Sequence, residues 1–202
     1  MYKLFLCFFV SCFSIINSFG QSYDLIISEQ KQEIGSITYQ GYETSFNITS
    51  DKLQKAWWKH TKKFGILDNK RTHYILKIPT SDKTLLPINL IQTTQGTDST
   101  STIFLAVFDQ TNNSFKKQVK TMLLEFKIQY YGSEIQQKIV LTETKLASAG
   151  ANYQAELLNE SRSIKKNGNV KSDNSYKNKL MAEISRLSYE LEELKRELIE
   201  VR

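Results

Sequence analysis

The C-terminal run from Leu180 to Val201 constrains the fold more than any other part of the chain. Its apolar residues recur at alternating steps of four and three. This heptad spacing predicts an α-helix with one apolar stripe, which another surface must cover. We therefore predict a coiled-coil-like helix over residues 176–202, whose seam binds a second copy of the chain or an envelope protein. The seam consists of Leu180, Ile184, Leu187, Leu191, Leu194, Leu198 and Val201.

Residues 133–164 offer another candidate partner for that seam. Apolar and small residues step by three or four from Ile135 to Leu157, which predicts a long amphipathic helix. Residues 165–175 hold two asparagines around a glycine and predict a flexible loop. Such a loop is long enough to let the two helices run antiparallel, so pairing within one chain and pairing between chains both stay open here.

The segment 22–131 carries a different pattern. Residues 35–49 alternate between apolar and polar side chains, which predicts a half-buried strand, and residues 24–28 predict a short extra strand. A helix is expected next, capped by Ser50 or Asp51 and ending before Gly65. Three strands then follow at 72–79, 85–95 and 101–109, and a second helix at 113–131.

This order predicts an α+β domain of two layers, in which helices cover an antiparallel sheet of β-α-β-β-β-α order. The run 101–109 is apolar without a break, so we expect a central strand that is buried on both faces. Pro87 predicts that its strand lies at an edge or begins irregularly, because proline cannot donate to a neighbouring strand.

Residues 1–20 have the pattern of a secretory signal peptide. Lys3 precedes an apolar stretch that ends in small and polar residues, so cleavage is expected near Gly20. The stretch is shorter than the roughly 20 apolar residues that span a bilayer, which disfavours a membrane anchor. Both cysteines, Cys7 and Cys12, lie in this leader, so the mature chain would hold neither disulfides nor thiolate metal sites. We expect a periplasmic or secreted protein.

The net charge of +6 is concentrated on the first predicted helix. Five lysines between Lys52 and Lys63 lie opposite its apolar face, where they form either a solvated surface or a site for an anionic polysaccharide or a lipid head group. Trp57 falls in the middle of the apolar face and Trp58 at its flank. The candidate ligand-binding residues are Lys55, Trp58, Lys59 and Lys62.

No constellation in the sequence points to catalysis. His60 and His73 are the only histidines, and neither has a carboxylate at ligand spacing, so we predict no metal site and no cofactor. Nucleophile and phosphate-loop motifs are also missing from the sequence. Aspartates and glutamates are too numerous for the sequence to exclude a carboxylate pair, but a non-enzymatic protein is the expectation.

Four stretches carry a resemblance to a known group. GYETSFNITSDKLQKAWWKHTKKFG, THYILKIP, TTQGTDSTSTIFLAVFD and EFKIQYY together resemble small exported proteins of the Bacteroidota whose activity is unassigned. The resemblance covers roughly residues 1–131. It implies export and a single domain there, and it transfers no site residue.

These observations lead to one functional expectation and one alternative. We expect an exported, non-enzymatic structural or interaction module that uses its C-terminal helical arm for self-association or for docking in the cell envelope. The alternative is a binding module for an anionic ligand on the basic helix. Nucleic acid is not an expected partner, and membrane contact would be at most peripheral.

Overall fold

The computed structural model describes residues 23–80, 87–109, 115–167 and 174–201. It confirms the α+β class: a six-stranded antiparallel sheet is followed by a long pair of C-terminal helices. The predicted signal peptide lies outside the described residues. The elements are β1 (Ser28–Ile34), β2 (Ile37–Phe46), α1 (Ser50–Thr61), β3 (Ile66–Asn69), β4 (Tyr74–Ile78), β5 (Ile88–Gly96), β6 (Ser101–Val107), α2 (Lys116–Asn167) and α3 (Asn174–Val201).

The strands lie in the order β1-β2-β6-β5-β4-β3, and every neighbouring pair is antiparallel. The prediction of a central strand is confirmed, because β6 lies between β2 and β5 and is buried along most of its length. Alternate residues of β6 point to opposite faces. Ile103, Leu105 and Val107 join the core beneath the helices, whereas Phe104 and Ala106 join a smaller cluster on the other face.

Two strand predictions need correction. The extra strand is β1 at 28–34, not 24–28. The turn at Gly35, which has a left-handed φ of 68°, joins β1 directly to its antiparallel partner β2 and so sets where β1 ends. Its sequence SEQKQEI is polar, as is common for an edge strand, and so lacks an apolar pattern. Of the two alternatives predicted from Pro87, an edge position is wrong, because β5 lies inside the sheet. The proline instead affects where the strand starts: β5 begins directly after it, at Ile88.

Helix α1 follows its predicted pattern closely. Leu53, Trp57 and His60 are buried on the predicted apolar face. The cap lies one residue earlier than predicted, at Thr49, whose hydroxyl oxygen accepts a hydrogen bond from the backbone N–H of Lys52 at 3.4 Å.

Helix α2 corrects the predicted boundary between the domain 22–131 and a separate helix 133–164. It runs without interruption through Gly132 for 52 residues, or roughly 80 Å. A glycine inside a helix costs only about 1 kcal/mol, which the packing on both sides offsets. Phe126 lies in the sheet core and Ile135 faces α3, so one helix serves both layers.

Helix α3 packs antiparallel on α2 within the same chain. Gly132 lies beside Leu198, Thr142 lies 3.5 Å from Glu190, and Glu160 pairs with Lys177 at 2.6 Å. The loop predicted at 165–175 overlaps the end of α2 and the start of α3, and its residues 168–173 lie outside the described part of the chain.

We predict that the α2–α3 contact contributes strongly to stability. Leu187 is 1% exposed, so Leu187→Ala should lower the free energy of unfolding by about 2–5 kcal/mol through lost burial and the cavity that remains. Urea unfolding followed by circular dichroism would measure it. Ile199→Ala, at a position 76% exposed on the same helix, is the matched control and should change stability by less than about 0.5 kcal/mol. Equal losses in the two variants would contradict this packing.

Candidate functional site

A cavity of about 300 Å³ lies between α1 and the hairpin formed by β3 and β4. We call it the Trp58 cavity. Its side chains come from one flank of the helix and from the strands that follow it in the chain. They are Gln54, Lys55, Trp58, Leu67, Asn69 and Tyr74.

Helical and strand geometry together assemble this cavity. Gln54 and Trp58 are four residues apart and therefore neighbours on one side of α1. In the hairpin, Asn69 is paired directly with Tyr74, which brings an amide and an aromatic ring to the same end. The turn between them is fixed by Asn69, whose side-chain oxygen accepts from the N–H of Arg71 at 2.8 Å. Arg71 itself has a φ of 72°, a conformation that the Asn69 turn supports.

The two tryptophans differ in solvent exposure, as the helical pattern predicts. Trp57 is fully buried, whereas Trp58 is 51% exposed at the flank. The ammonium of Lys62 lies 4.2 Å from the centre of the Trp58 ring, a cation–π contact that favours one position of the indole. The position predicted for Trp58 is confirmed, and its role in binding stays a prediction.

Both amides of the Trp58 cavity are oriented by the protein. The side-chain oxygen of Gln54 accepts from Nε2 of Gln92 at 3.2 Å and from the hydroxyl of Thr94 at 2.6 Å. The oxygen of Asn69 is occupied by Arg71, as described above. The remaining polar group of each amide is its NH₂, so the cavity offers hydrogen-bond donors in preference to acceptors.

The four predicted ligand-binding residues lie on one side of α1, but they do not line one cavity. Lys55 and Trp58 line one cavity and Lys62 contacts Trp58, but Lys59 lines a different cavity of about 260 Å³ between α1 and α2. Lys59 is one helical turn from Lys55 but does not line the Trp58 cavity. The binding role of the four residues stays a prediction.

His60 lies between these elements as part of the core. Its ring stacks on Trp57 at 5.7 Å between centroids and tilts against Phe126 at 5.1 Å. Nδ1 donates to the side-chain oxygen of Gln129 at 2.9 Å, since that oxygen can only accept. Nε2 is buried, with no hydrogen-bond partner among the described residues. Burial lowers the pKa of His60 from 6.5 to about 4, which the Gln129 hydrogen bond opposes and the charge of Lys63 reinforces.

A buried lysine was not singled out from the sequence. Lys127 is fully buried, and its Nζ donates to the Thr44 hydroxyl at 2.7 Å and to the carbonyl of Ile26 at 3.5 Å. Burial lowers the pKa of Lys127, an effect that the charge of Asp24 opposes. These bonds join α2, β2 and the segment before β1, so the role of Lys127 is to hold three parts of the core together.

The seven residues predicted as an oligomer seam all lie on the side of α3 that packs on α2. Five are buried and two are partly buried within a single chain. The stripe predicted on residues 135–157 supplies the opposing surface, with Ile135, Ile139, Thr142 and Ala149 buried. Leu157 departs from that stripe and is partly exposed, at 37%. A second chain would therefore have to use other faces of these helices or displace α2.

Among the described residues, no group of three or more histidine, cysteine, aspartate or glutamate side chains could hold a metal ion. Within the same residues, no helix is long and apolar enough to cross a membrane. Comparisons with known proteins found no matching protein family, no similar curated protein and no similar solved structure.

We predict that His60 makes stability depend on pH. Its folded pKa of about 4 lies below the unfolded value of 6.5, so the unfolded chain binds the proton more readily between these values. Stability should be unaffected by His60 above pH 7 and should fall as the pH drops from 6.5 towards 4. His60→Phe removes this titration, so the loss of stability between pH 7 and pH 4 should be smaller in the variant by about 1–2 kcal/mol after allowance for solvent screening. Thermal unfolding of both proteins across this range measures it, and parallel curves would contradict it.

Proposed function

We propose that this chain is an exported, non-enzymatic interaction protein, in which an α+β domain carries a helical arm that self-associates or docks on an envelope partner. The arm comprises residues 139–167 of α2 and 174–191 of α3. The observation that carries the proposal is the outer side of this hairpin, where apolar side chains are exposed to solvent over a long, uncharged helix face.

The arm is held by contacts between its own two helices. The buried residues Ala149 and Leu187 lie on the facing sides of α2 and α3, and Glu160 and Lys177 pair across them. Its α2 portion extends for roughly 40 Å. A hairpin of this length has a large surface for its mass, and two continuous helices position that surface better than a loop would.

The side of α2 that points away from α3 has an unusual composition for a solvated face. A surface helix normally presents charged side chains to water. Here the outward sector from residue 136 to residue 159 contains no charged residue, and Val140, Leu141 and Leu158 are each more than half exposed. Smaller uncharged residues fill the positions between them. The members of this outer face are Gln137, Val140, Leu141, Thr144, Ala147, Ser148, Ala151, Ala155 and Leu158.

Docking offers a physical reason for such a face. Contiguous exposed apolar surface is disfavoured in monomers, and it marks interaction sites when it is extensive. The small residues would allow a partner helix to approach closely, while Val140, Leu141 and Leu158 would supply buried area at both ends of the contact. The seam of α3 is already covered by α2, so this outer face is the surface that we assign to association.

The perturbed ionisable groups support a non-enzymatic role. His60 is packed among aromatic rings and Lys127 is bonded to Thr44, so each has a structural task. The Tyr23 hydroxyl donates to Glu197 at 3.2 Å, and burial together with that charge raises the pKa of Tyr23 to about 12. Each of these three groups therefore has a packing or hydrogen-bond partner within the protein.

A second candidate function is the binding of an anionic ligand beside α1. The observation that favours it is the half-exposed Trp58 ring, which is held by Lys62 and adjoins Lys55 at the mouth of a cavity. This surface belongs to the sheet domain and not to the arm, so both functions could belong to the same molecule.

We predict that export removes the leader. Protein recovered from the native host should begin at Gln21 or Ser22, because the small residues up to Gly20 form the expected cleavage site. N-terminal sequencing or intact mass measurement reads the first residue. A mature protein that retains Met1 would contradict the proposed export by a cleaved signal peptide.

We predict that the outer face mediates association. The double variant Val140→Lys, Leu158→Lys places charges at both ends of the face, where burial of a charge would be costly, and should abolish association without lowering the unfolding temperature. Analytical ultracentrifugation measures self-association, and photo-crosslinking from position 158 in cells reports a partner. Ile66→Lys, and crosslinking from position 66, are the matched controls, since Ile66 is also an exposed apolar residue, on the sheet domain. A monomer in solution that also gives no adduct from position 158 would overturn the proposal.

A further inference from the structure

We propose that the Trp58 cavity binds one acidic sugar ring, of the uronic-acid type, within an anionic polysaccharide. This inference deepens the second candidate function and rests on it. It assigns the ligand class and the contact residues, which the charge of α1 alone does not.

Aromatic rings form part of the wall of the Trp58 cavity. Trp58 and Tyr74 both line the cavity, and the C–H faces of a sugar ring pack well against aromatic rings. Lys62 lies over the indole but does not line the cavity, so the side of the Trp58 ring that faces the cavity stays open to a ligand. The volume of about 300 Å³ is at the small end of the range for ligand sites, which suits one ring of a longer chain.

The polar groups of the Trp58 cavity favour a ligand that is rich in hydrogen-bond acceptors. The oxygens of Gln54 and Asn69 are occupied within the protein, so their NH₂ groups are the ones that can reach a ligand. Lys55 adds an ammonium that makes no ion pair with any described residue. All three groups donate hydrogen bonds, so the complementary ligand must be rich in acceptors. Sugar hydroxyl and carboxylate oxygens are such acceptors.

The local charge of the Trp58 cavity favours an anionic ligand. The residues that line the cavity include a lysine and no carboxylate. Asp68 lies between Leu67 and Asn69 on β3, so its side chain points to the opposite face of the strand, where it pairs with Lys70 at 2.8 Å and with Lys77 at 3.3 Å. The nearest acid of the hairpin is therefore directed away, and a carboxylate on the ligand would meet attraction from Lys55.

A recessed cavity favours a sugar over a membrane surface or a nucleic acid. A lipid surface would contact the whole row of lysines on α1, including Lys59, which lies beside the other cavity. A single-stranded nucleic acid would need a track of basic and aromatic groups for successive bases. The Trp58 cavity instead places two aromatic rings and three donors around one volume.

Affinity electrophoresis and calorimetry would measure the binding of the mature protein, residues 22–202, to a defined polygalacturonate oligosaccharide. Neutral dextran of similar length, vesicles that contain phosphatidylglycerol, and single-stranded DNA are the comparison probes. We expect binding to polygalacturonate and not to dextran. Trp58→Ala should weaken it by about tenfold or more, because one well-packed aromatic ring often carries this much of an interface. Trp58→Phe should restore part of the affinity.

Matched variants separate the cavity from the charge of the helix. Lys55→Ala should weaken binding severalfold, whereas Lys59→Ala removes the same charge from the same helix at the other cavity and should leave the affinity nearly unchanged. Equal losses for Lys55→Ala and Lys59→Ala, or binding that Trp58→Ala does not alter, would overturn the assignment of the cavity but not anionic binding by α1. Stronger retention on vesicles or DNA would overturn the sugar as ligand. The lack of binding to any anionic probe would overturn the second candidate function as well.

Discussion

The packing of α3 on α2 is the contact on which the rest of the molecule depends. Without it, α2 would expose the stripe that includes Ile135 and Ile139 for half of its length. No tertiary packing would then stabilise the part of this 52-residue helix that extends past the sheet. With it, the larger core cluster runs from Leu90 in the sheet, through Phe126, to Val201 at the end of α3. The hydrogen bond between Tyr23 and Glu197 adds the first described residue of the chain to the same assembly.

Periodicity predicted most of this structure because periodicity reports which side chains share a face. It identified α1, α2, α3 and the central strand β6, and it selected Leu53, Trp57 and Ile135 as core residues correctly. It missed β3, which has only four residues, and it misplaced β1, whose polar sequence carries no alternation. It also placed a boundary near Gly132, since a local pattern does not show that packing on both sides can hold a glycine in a helix.

A local sequence pattern does not identify which surface covers the α3 seam. The heptad spacing specifies which residues must be covered, but residues 135–157 and a second chain both satisfy that requirement. Only the three-dimensional arrangement distinguishes them, through antiparallel contacts such as Glu160 with Lys177. The candidate site has the same origin. The exposure of Trp58 follows from its angle on the helix, whereas Asn69 and Tyr74 reach it through the register of a hairpin that follows α1 in the chain.

Lys55 and Lys59 adjoin different cavities, and this difference bears on what the basic helix can do. A row of lysines that faced one surface would act through total charge, and any polyanion of sufficient length would satisfy it. The structure instead places Lys55 with two aromatic rings and two oriented amides, and places Lys59 with Gln129 and Ser133 on the α2 side. In the proposed binding function, charge would attract a ligand to the helix, while shape and hydrogen-bond donors would select among the ligands that arrive. The proposed selectivity would then depend on the β3–β4 hairpin as much as on α1, and it would be independent of the outer face of the arm, which belongs to different elements.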